Sequence, residues 1–262
     1  MRKMKEKNNL ARTGKIYLSV VIPNYNEEKN IKAGSLDEVY GYLKKQKYSW
    51  EVLLVDDGSL DNTVSLLNSF ARAHKGFKVY KEPHRGKAGT VIAGMLKARG
   101  QIVLFADMDQ ATPLNQIEKF LPKFENSFDV VIGSRTGREG YSMIRLLMAY
   151  VFMALRRIVL RLPFKDTQCG FKAFKAEVVA DIFKRMKIFN EKMRAQGAAV
   201  TAGFDLEILY IARKLKLKVA EVPVIWHEKG IRKEVRPLKD SWEGLRDLLR
   251  VRLNALLGKY EV

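Results

Sequence analysis

Five short apolar runs rich in β-branched residues recur along the first half of the chain: "LSVVIP" (18–23), "EVLLVD" (51–56), "KVYKE" (78–82), "QIVLFA" (101–106) and "DVVIGS" (129–134). The stretches between them, about 27–46, 61–74, 87–99 and 114–125, carry apolar residues at helical spacing. This alternation constrains the fold more than any other feature, because parallel neighbouring strands need long crossover connections. It predicts an α/β fold with a mostly parallel sheet and helices on both faces. Turn chemistry agrees: "DDGSLDNT" offers a glycine turn and then Asp61 as a helix cap, and "RGKAG" sets glycines at the next helix start.

In such sheets ligands bind beyond the carboxyl ends of the strands. Asp56, Asp57, Asp107 and Asp109 all fall there. Two aspartates at i and i+2 can share a hard divalent ion such as Mg²⁺ or Mn²⁺, particularly one that also binds phosphate oxygens. Asp-x-Asp alone is a common surface pattern, but here apolar "IVLFA" runs directly into "DMD" and Pro113 follows. The first strand leaves through "PNYNEEKNI", where Pro23 stiffens the exit and Asn24, Tyr25, Asn26 and Glu27 suit a nucleotide pocket. The plain alternative is a helix start with acidic residues at the positive end of its dipole. Asp56 is equally consistent with a base-binding carboxylate and with a turn aspartate.

Past about residue 137 the alternation stops. "YSMIRLLMAYVFMALRRIVLRLPF" (141–164) is apolar around most of a helix yet carries Arg145, Arg156, Arg157 and Arg161, and "SWEGLRDLLRVRLNALLGKY" (241–260) repeats the pattern. Two placements stay open for the first of these: a membrane interface with arginines at the headgroups, or a core helix packed on the sheet. The longest charge-free stretches, such as 16–26 and 146–155, are far below the about 20 residues of a membrane span, so no transmembrane segment is expected.

The balance of 48 Lys+Arg over 29 Asp+Glu gives a net charge of +19 and implies an anionic partner. Zinc motifs, glycine-rich RNA-binding signatures and aromatic stacking patterns are all missing, which argues against nucleic acid. One cysteine, Cys169, excludes an internal disulfide and fits a reducing compartment. "MRKMKEKNNLARTGK" (1–15) reads as a basic arm without the apolar core of a signal peptide, so a cytoplasmic location is expected.

In order and spacing, "SVVIPNYNEEKNI", "EVLLVDDGSLDNT", "RGKAGT", "VLFADMDQATP", "VIGSR", "DTQCGFKAF" and "FDLEILYIARKLKLKVAEVPVIWHEKG" resemble the family 2 inverting glycosyltransferases with the GT-A fold. Within that family the resemblance points to the dolichyl-phosphate (polyprenyl-phosphate) glucosyl- and mannosyltransferases, over roughly residues 17–258. It implies a Rossmann-like GT-A domain at 16–262, with a nucleotide-sugar half at about 16–136 and an acceptor and membrane-facing half, with C-terminal amphipathic helices, at about 137–262.

By the same resemblance, Pro23, Tyr25, Glu27 and Asp56 hold the base and ribose, with Asp57 and Lys87 nearby. Asp107 and Asp109 are the metal triplet, Asp109 the more direct ligand. Arg135 sits near the sugar or diphosphate, Asp166 serves the acceptor side as base or as orienting group, and Arg232 and Lys233 bind the acceptor phosphate. Asp109, Asp166 and Arg135 are the implied catalytic set.

The implied reaction is inverting transfer of a hexose from a nucleotide diphosphate sugar to a polyprenyl phosphate at a membrane surface, with Mg²⁺ or Mn²⁺. A family 2 transferase with a non-lipid acceptor is the alternative. Ala111 replaces a metal-binding glutamine of the mannosyl relatives, which favours UDP-glucose over GDP-mannose. The register of the basic pair in "GIRK" (230–233) and the length of 184–201 depart from the family pattern. His227 reads as a packing residue and Cys169 as structural. The basic helices are expected to hold the enzyme peripherally on the cytoplasmic face of an anionic membrane.

Overall fold

The computed structural model describes residues 16–136, 143–189, 203–227 and 237–261. The basic arm at 1–15, Arg232, Lys233 and residues 190–201 of the long stretch lie outside the described residues.

Seven strands form one sheet: β1 (Leu18–Asn24), β2 (Trp50–Asp56), β3 (Phe77–Lys81), β4 (Ile102–Phe105), β5 (Val130–Thr136), β6 (Lys172–Lys175) and β7 (Val219–Ile225), in the order β3-β2-β1-β4-β6-β5-β7. The helices are α1 (Glu28–Lys32), α2 (Ser35–Leu43), α3 (Thr63–Ala73), α4 (Gly86–Lys97), α5 (Leu121–Glu125), α6 (Met143–Val159), α7 (Ala176–Phe183), α8 (Gly203–Lys214) and α9 (Pro237–Leu256), with a 3₁₀ segment at Leu114–Lys119.

All five strands expected from the sequence are present to within about two residues at their ends. Two expected helices are each divided. The 27–46 stretch breaks at Gly34, whose φ of 90° lies where side chains are disfavoured. The 114–125 stretch starts as 3₁₀ and restarts as α5 around Pro122, which has no N–H with which to continue the earlier turn.

β6 and β7 were not legible as strands. β6 is four residues with a lysine at each end, and β7 carries Pro223, tolerated because β7 is an edge strand. The sheet is mixed: four pairings are parallel, and β6 runs antiparallel to both β4 and β5.

Alternation along the strands supplies a core on each face. Val21, Val103 and Phe105 point toward α4, α7, α8 and α9, joining Val91, Phe174, Leu209 and Leu248. Val20, Ile22 and Leu104 point the other way, onto Leu36, Leu67 and Phe120.

β1 to β5 and β7 run in a common direction, so their carboxyl ends open on one rim. β6 enters the sheet inverted, with Lys172 level with Phe105 and Ile132. Its inversion delivers its amino end, and with it the "DTQCGF" turn, to that rim. A fully parallel sheet would have placed this turn at the opposite edge.

Candidate active site at the carboxyl rim

Asn24 and Asp56 stand level at the ends of β1 and β2, each 2% exposed. Asp56 Oδ2 accepts the N–H groups of Gly58 (3.0 Å) and Ser59 (3.2 Å), a turn that Gly58 completes at φ 73°. Asp56 Oδ1 and Asn24 Oδ1 are buried acceptors with no hydrogen bond from the protein. Leaving such atoms unsatisfied is costly, which marks them as sites for a donor from elsewhere.

Asp57 binds the opposite loop. Its Oδ1 accepts the Arg85 N–H at 2.7 Å, and its Oδ2 lies 2.9 Å from His84 Nδ1. The His84 ring stacks on Tyr25 with centroids 4.4 Å apart. Tyr25, Asp56 and Asp57 are thus brought together. Pro23 is level with Val55 in the β1–β2 pairing. Glu27 lies in the turn just before α1, where its carboxylate accepts from Asn30 at 2.5 Å and its N–H donates to Thr63 Oγ1 at 2.8 Å.

Arg85 heads α4, and two residues on Lys87 Nζ lies 2.5 Å from Asp107 Oδ1. One short stretch of chain therefore links the Asp57 turn to the acidic triplet. In that triplet Met108 is buried while Asp107 and Asp109 are both partly exposed, and Asp107 lines the pocket described below. Asp109 Oδ1 accepts the Ala111 N–H (2.9 Å), and Gln110, at φ 50°, donates from Nε2 to the Asp107 carbonyl (2.8 Å). Gly170 packs so close to the Asp107 carboxylate that no Cβ fits there.

Asp107, Thr112, Arg135, Gln168, Gly170 and Trp226 line one pocket. Within it Arg135 makes a two-pronged pair with Asp166, Nε to Oδ2 at 2.7 Å and Nη2 to Oδ1 at 3.0 Å. Burial pushes the Asp166 carboxyl up, but the hydrogen bonds and charge of Arg135 outweigh it and hold the pKa at about 2. The Arg135 guanidinium also lies over the Trp226 ring at 5.9 Å.

The turn carrying Asp166 is anchored from two sides. Glu221 of β7 accepts the N–H groups of Lys165 (2.9 Å) and Asp166 (2.7 Å). Arg156 of α6 donates to Thr167 Oγ1 (2.9 Å) and to the carbonyls of Phe164 and Lys165. Of the two placements left open for this helix, Arg156 takes the core one. It is 4% exposed and serves the site, because its guanidinium satisfies carbonyls that the turn leaves unpaired.

His227 donates its N–H to the Ala111 carbonyl (2.8 Å), fastening the end of β7 to the triplet loop. Cys169 is buried and its thiol pKa is pushed up by burial, the opposite of an activated thiol.

Sequence reasoning missed His84, Gly170, Trp226 and a buried pair, Lys172 with Asp205, whose Nζ and Oδ1 are 2.6 Å apart. The last two had a signal: each is a charge inside a largely apolar run, "CGFKAF" and "GFDLEILY".

Among the described residues no group of three His, Cys, Asp or Glu side chains converges. Asp107 and Asp109 could hold a hard divalent ion, which takes oxygen ligands and commonly completes its shell with water and phosphate.

A mixed sheet with an acidic triplet after β4 and an inverted strand bringing an Arg–Asp pair to the same rim defines a GT-A glycosyltransferase. The chain belongs to glycosyl transferase family 2, whose family model matches residues 19–183. It is 34% identical to the dolichyl-phosphate beta-glucosyltransferase of Dictyostelium discoideum, over 94% of this chain and 77% of that protein. The enzyme of the same name from Saccharomyces cerevisiae is also 34% identical, with the same coverage of both chains.

Among solved structures, mannosyl-3-phosphoglycerate synthase from Rubrobacter xylanophilus superposes with a TM-score of 0.67 at 19% identity, over 98% of this chain and 80% of that one. Glucosyl-3-phosphoglycerate synthase from Mycobacterium tuberculosis, in complex with Mn²⁺, UDP-glucose and phosphoglyceric acid, gives 0.60 at 20% identity, over 94% and 83%.

Proposed function

We propose that this chain transfers glucose from UDP-glucose to a dolichyl-type polyprenyl phosphate, with inversion at the anomeric carbon. The observation that carries the donor reading is the buried, unsatisfied Oδ1 of Asp56 on the same rim as Asp107. β1 alone separates their strands, which sets them about 10 Å apart across the sheet, the scale of a nucleoside diphosphate. A pyrimidine N–H satisfies Asp56, Tyr25 and its partner His84 border the base, and the diphosphate reaches toward Lys87 and the triplet. GDP-mannose is the weaker alternative, since Ala111 stands where mannosyl relatives carry a glutamine.

Asp107 and Asp109 would hold a divalent ion, Mg²⁺ or Mn²⁺, which when bound would supply Lewis-acid stabilisation to the donor diphosphate. The acceptor is a phosphate monoester with a second pKa near about 6, largely dianionic at neutral pH, so its oxygen attacks without a strong base. The new bond joins that oxygen to the anomeric carbon as the bond to the donor diphosphate breaks. Asp166, held ionised against Arg135, acts as the orienting group rather than as the base. Arg135 offsets the repulsion between the two phosphate groups. Arg232 and Lys233 are proposed for the acceptor phosphate on the resemblance alone.

The same reading places the enzyme against a bilayer. On α9, Trp242, Leu249, Leu253 and Leu256 form one exposed stripe, with Trp242 69% exposed, while Leu248 and Val251 face the core. Arg246, Arg250 and Arg252 on the same helix are exposed as well. On α6, which packs on α9, Tyr150, Val151 and Ile158 are exposed beside Arg157, while Phe152, Leu155 and Val159 pack inward. Each of the two placements considered for α6 thus describes one of its faces. No helix among the described residues is long and apolar enough to cross a membrane. We assign peripheral attachment at the cytoplasmic, anionic face, with residues 16–262 acting as one domain.

The test is incubation of purified protein with UDP-glucose or GDP-mannose, Mn²⁺ or Mg²⁺, and a polyprenyl phosphate. A glucosylated lipid formed from UDP-glucose is the expected product. Transfer to a soluble acceptor with none to the lipid would establish the non-lipid alternative instead.

A further inference from the structure

We infer that Lys172 and Asp205 are positioning residues for the Asp107 carboxylate, an inference that rests on the donor site proposed above. Lys172 is 0% exposed, at the amino end of the inverted strand β6. Its ammonium donates to Asp205 Oδ1 at 2.6 Å and to the carbonyl of Cys169 at 2.5 Å. That carbonyl belongs to the peptide linking Cys169 to Gly170, and Gly170 is the residue pressed against the Asp107 carboxylate.

A continuous path therefore runs from α8 through Asp205 and Lys172 to the Cys169–Gly170 peptide and on to Asp107. On its other side Asp107 meets Lys87. The carboxylate is gripped between one partly exposed lysine and one backbone wall, and Lys172 holds that wall.

A buried ammonium needs a reason to be where it is. A buried ion pair is seldom a net source of stability, and an apolar pair of similar volume commonly does as well. Here the cation also orients a peptide that no side chain could replace, since Gly170 has no room for a Cβ. Groups that orient a metal-binding carboxylate without touching the metal change metal affinity by about 10- to 100-fold when lost.

The experiment is calorimetric titration of the full chain with UDP, with and without Mn²⁺, so that no turnover is read. In the wild type Mn²⁺ is expected to tighten UDP binding. Lys172→Met and Asp205→Asn are each expected to cut that Mn²⁺-dependent tightening by about tenfold. Metal-free UDP binding, which reports Asp56, should stay within about twofold. Lys172→Arg, which keeps the charge and donors, should recover part of the effect.

The double variant K172M/D205N removes the isolated buried charge that each single variant leaves behind, so its thermal stability should rise above that of either one. It should still lack the Mn²⁺ effect, because nothing holds the Cys169 carbonyl. Folded variants with an unchanged Mn²⁺ effect, or a double variant that recovers it along with stability, would overturn the inference. Should Lys172→Met fail to fold, Asp205→Asn and Lys172→Arg carry the same comparison. A wild type that binds no UDP overturns the donor reading and this inference with it.

Discussion

Arg135 and Asp166 meet in a two-pronged ion pair whose carboxylate is 2% exposed and whose guanidinium faces the pocket. The folded pKa of Asp166, about 2, is below its ordinary 3.8. The stabilisation is thus fully present above about pH 4 and is lost as the pH falls through about 2. It amounts to about 2 kcal/mol, the shift converted at 1.36 kcal/mol per unit. Asp166→Asn should lose this component, so the stability gap between wild type and variant, measured by denaturant unfolding, should narrow between pH 4 and pH 2. The variant should also lower kcat by about 100-fold, because the arginine loses its orientation.

Asp109→Ala is expected to abolish glycolipid formation. Its carboxylate is partly exposed and caps the short turn to Ala111, so the fold should survive with a stability loss of about 1 kcal/mol. Retained turnover in a folded D109A protein would remove Asp109 from the metal role.

Asp56→Ala should weaken metal-free UDP binding by about 10- to 100-fold, the worth of a hydrogen bond to a buried carboxylate. Equal UDP binding by the variant would assign Asp56 to the turn at Gly58 and Ser59 alone.

Two glycines separate close packing from open space. Gly170→Ala drives a methyl onto Asp107 and should lower activity by at least about tenfold. Gly41, inside α2 with nothing near its missing Cβ, is the control. Gly41→Ala should leave activity unchanged and raise stability by about 0.5–1 kcal/mol.

Replacing Leu249, Leu253 and Leu256 together by Ser should reduce sedimentation with anionic liposomes while leaving the core untouched, since all three are exposed. Wild-type binding should weaken as salt rises. Binding indifferent to both changes would place the membrane contact elsewhere.

β1, β2 and β4 were legible because they are buried on both faces and so read as near-continuous apolar runs, whereas the edge strand β3 alternates lysine with apolar residues. The acidic triplet was legible for a related reason: carboxylates directly after "IVLFA" sit where a strand leaves the sheet. β6 and β7 gave no such pattern, because a four-residue strand bounded by lysines and an edge strand containing proline carry little periodicity. Arg156 was left open between headgroup and core, since a helix's arginines look alike until packing decides which one turns inward onto Thr167.

By itself, then, the sequence determined the local order: which segments are extended, where they end, and that Asp56, Asp57, Asp107 and Asp109 sit at those ends. Only the tertiary structure decided the direction of β6, and with it the meeting of Asp166 with Arg135, of Gly170 with Asp107 and of Lys172 with Asp205. Strand periodicity is written in neighbouring residues. Strand direction and the partners of a buried charge depend on residues 30 to 60 positions away, as with Asp166 and Glu221, and are fixed only when the sheet closes around them.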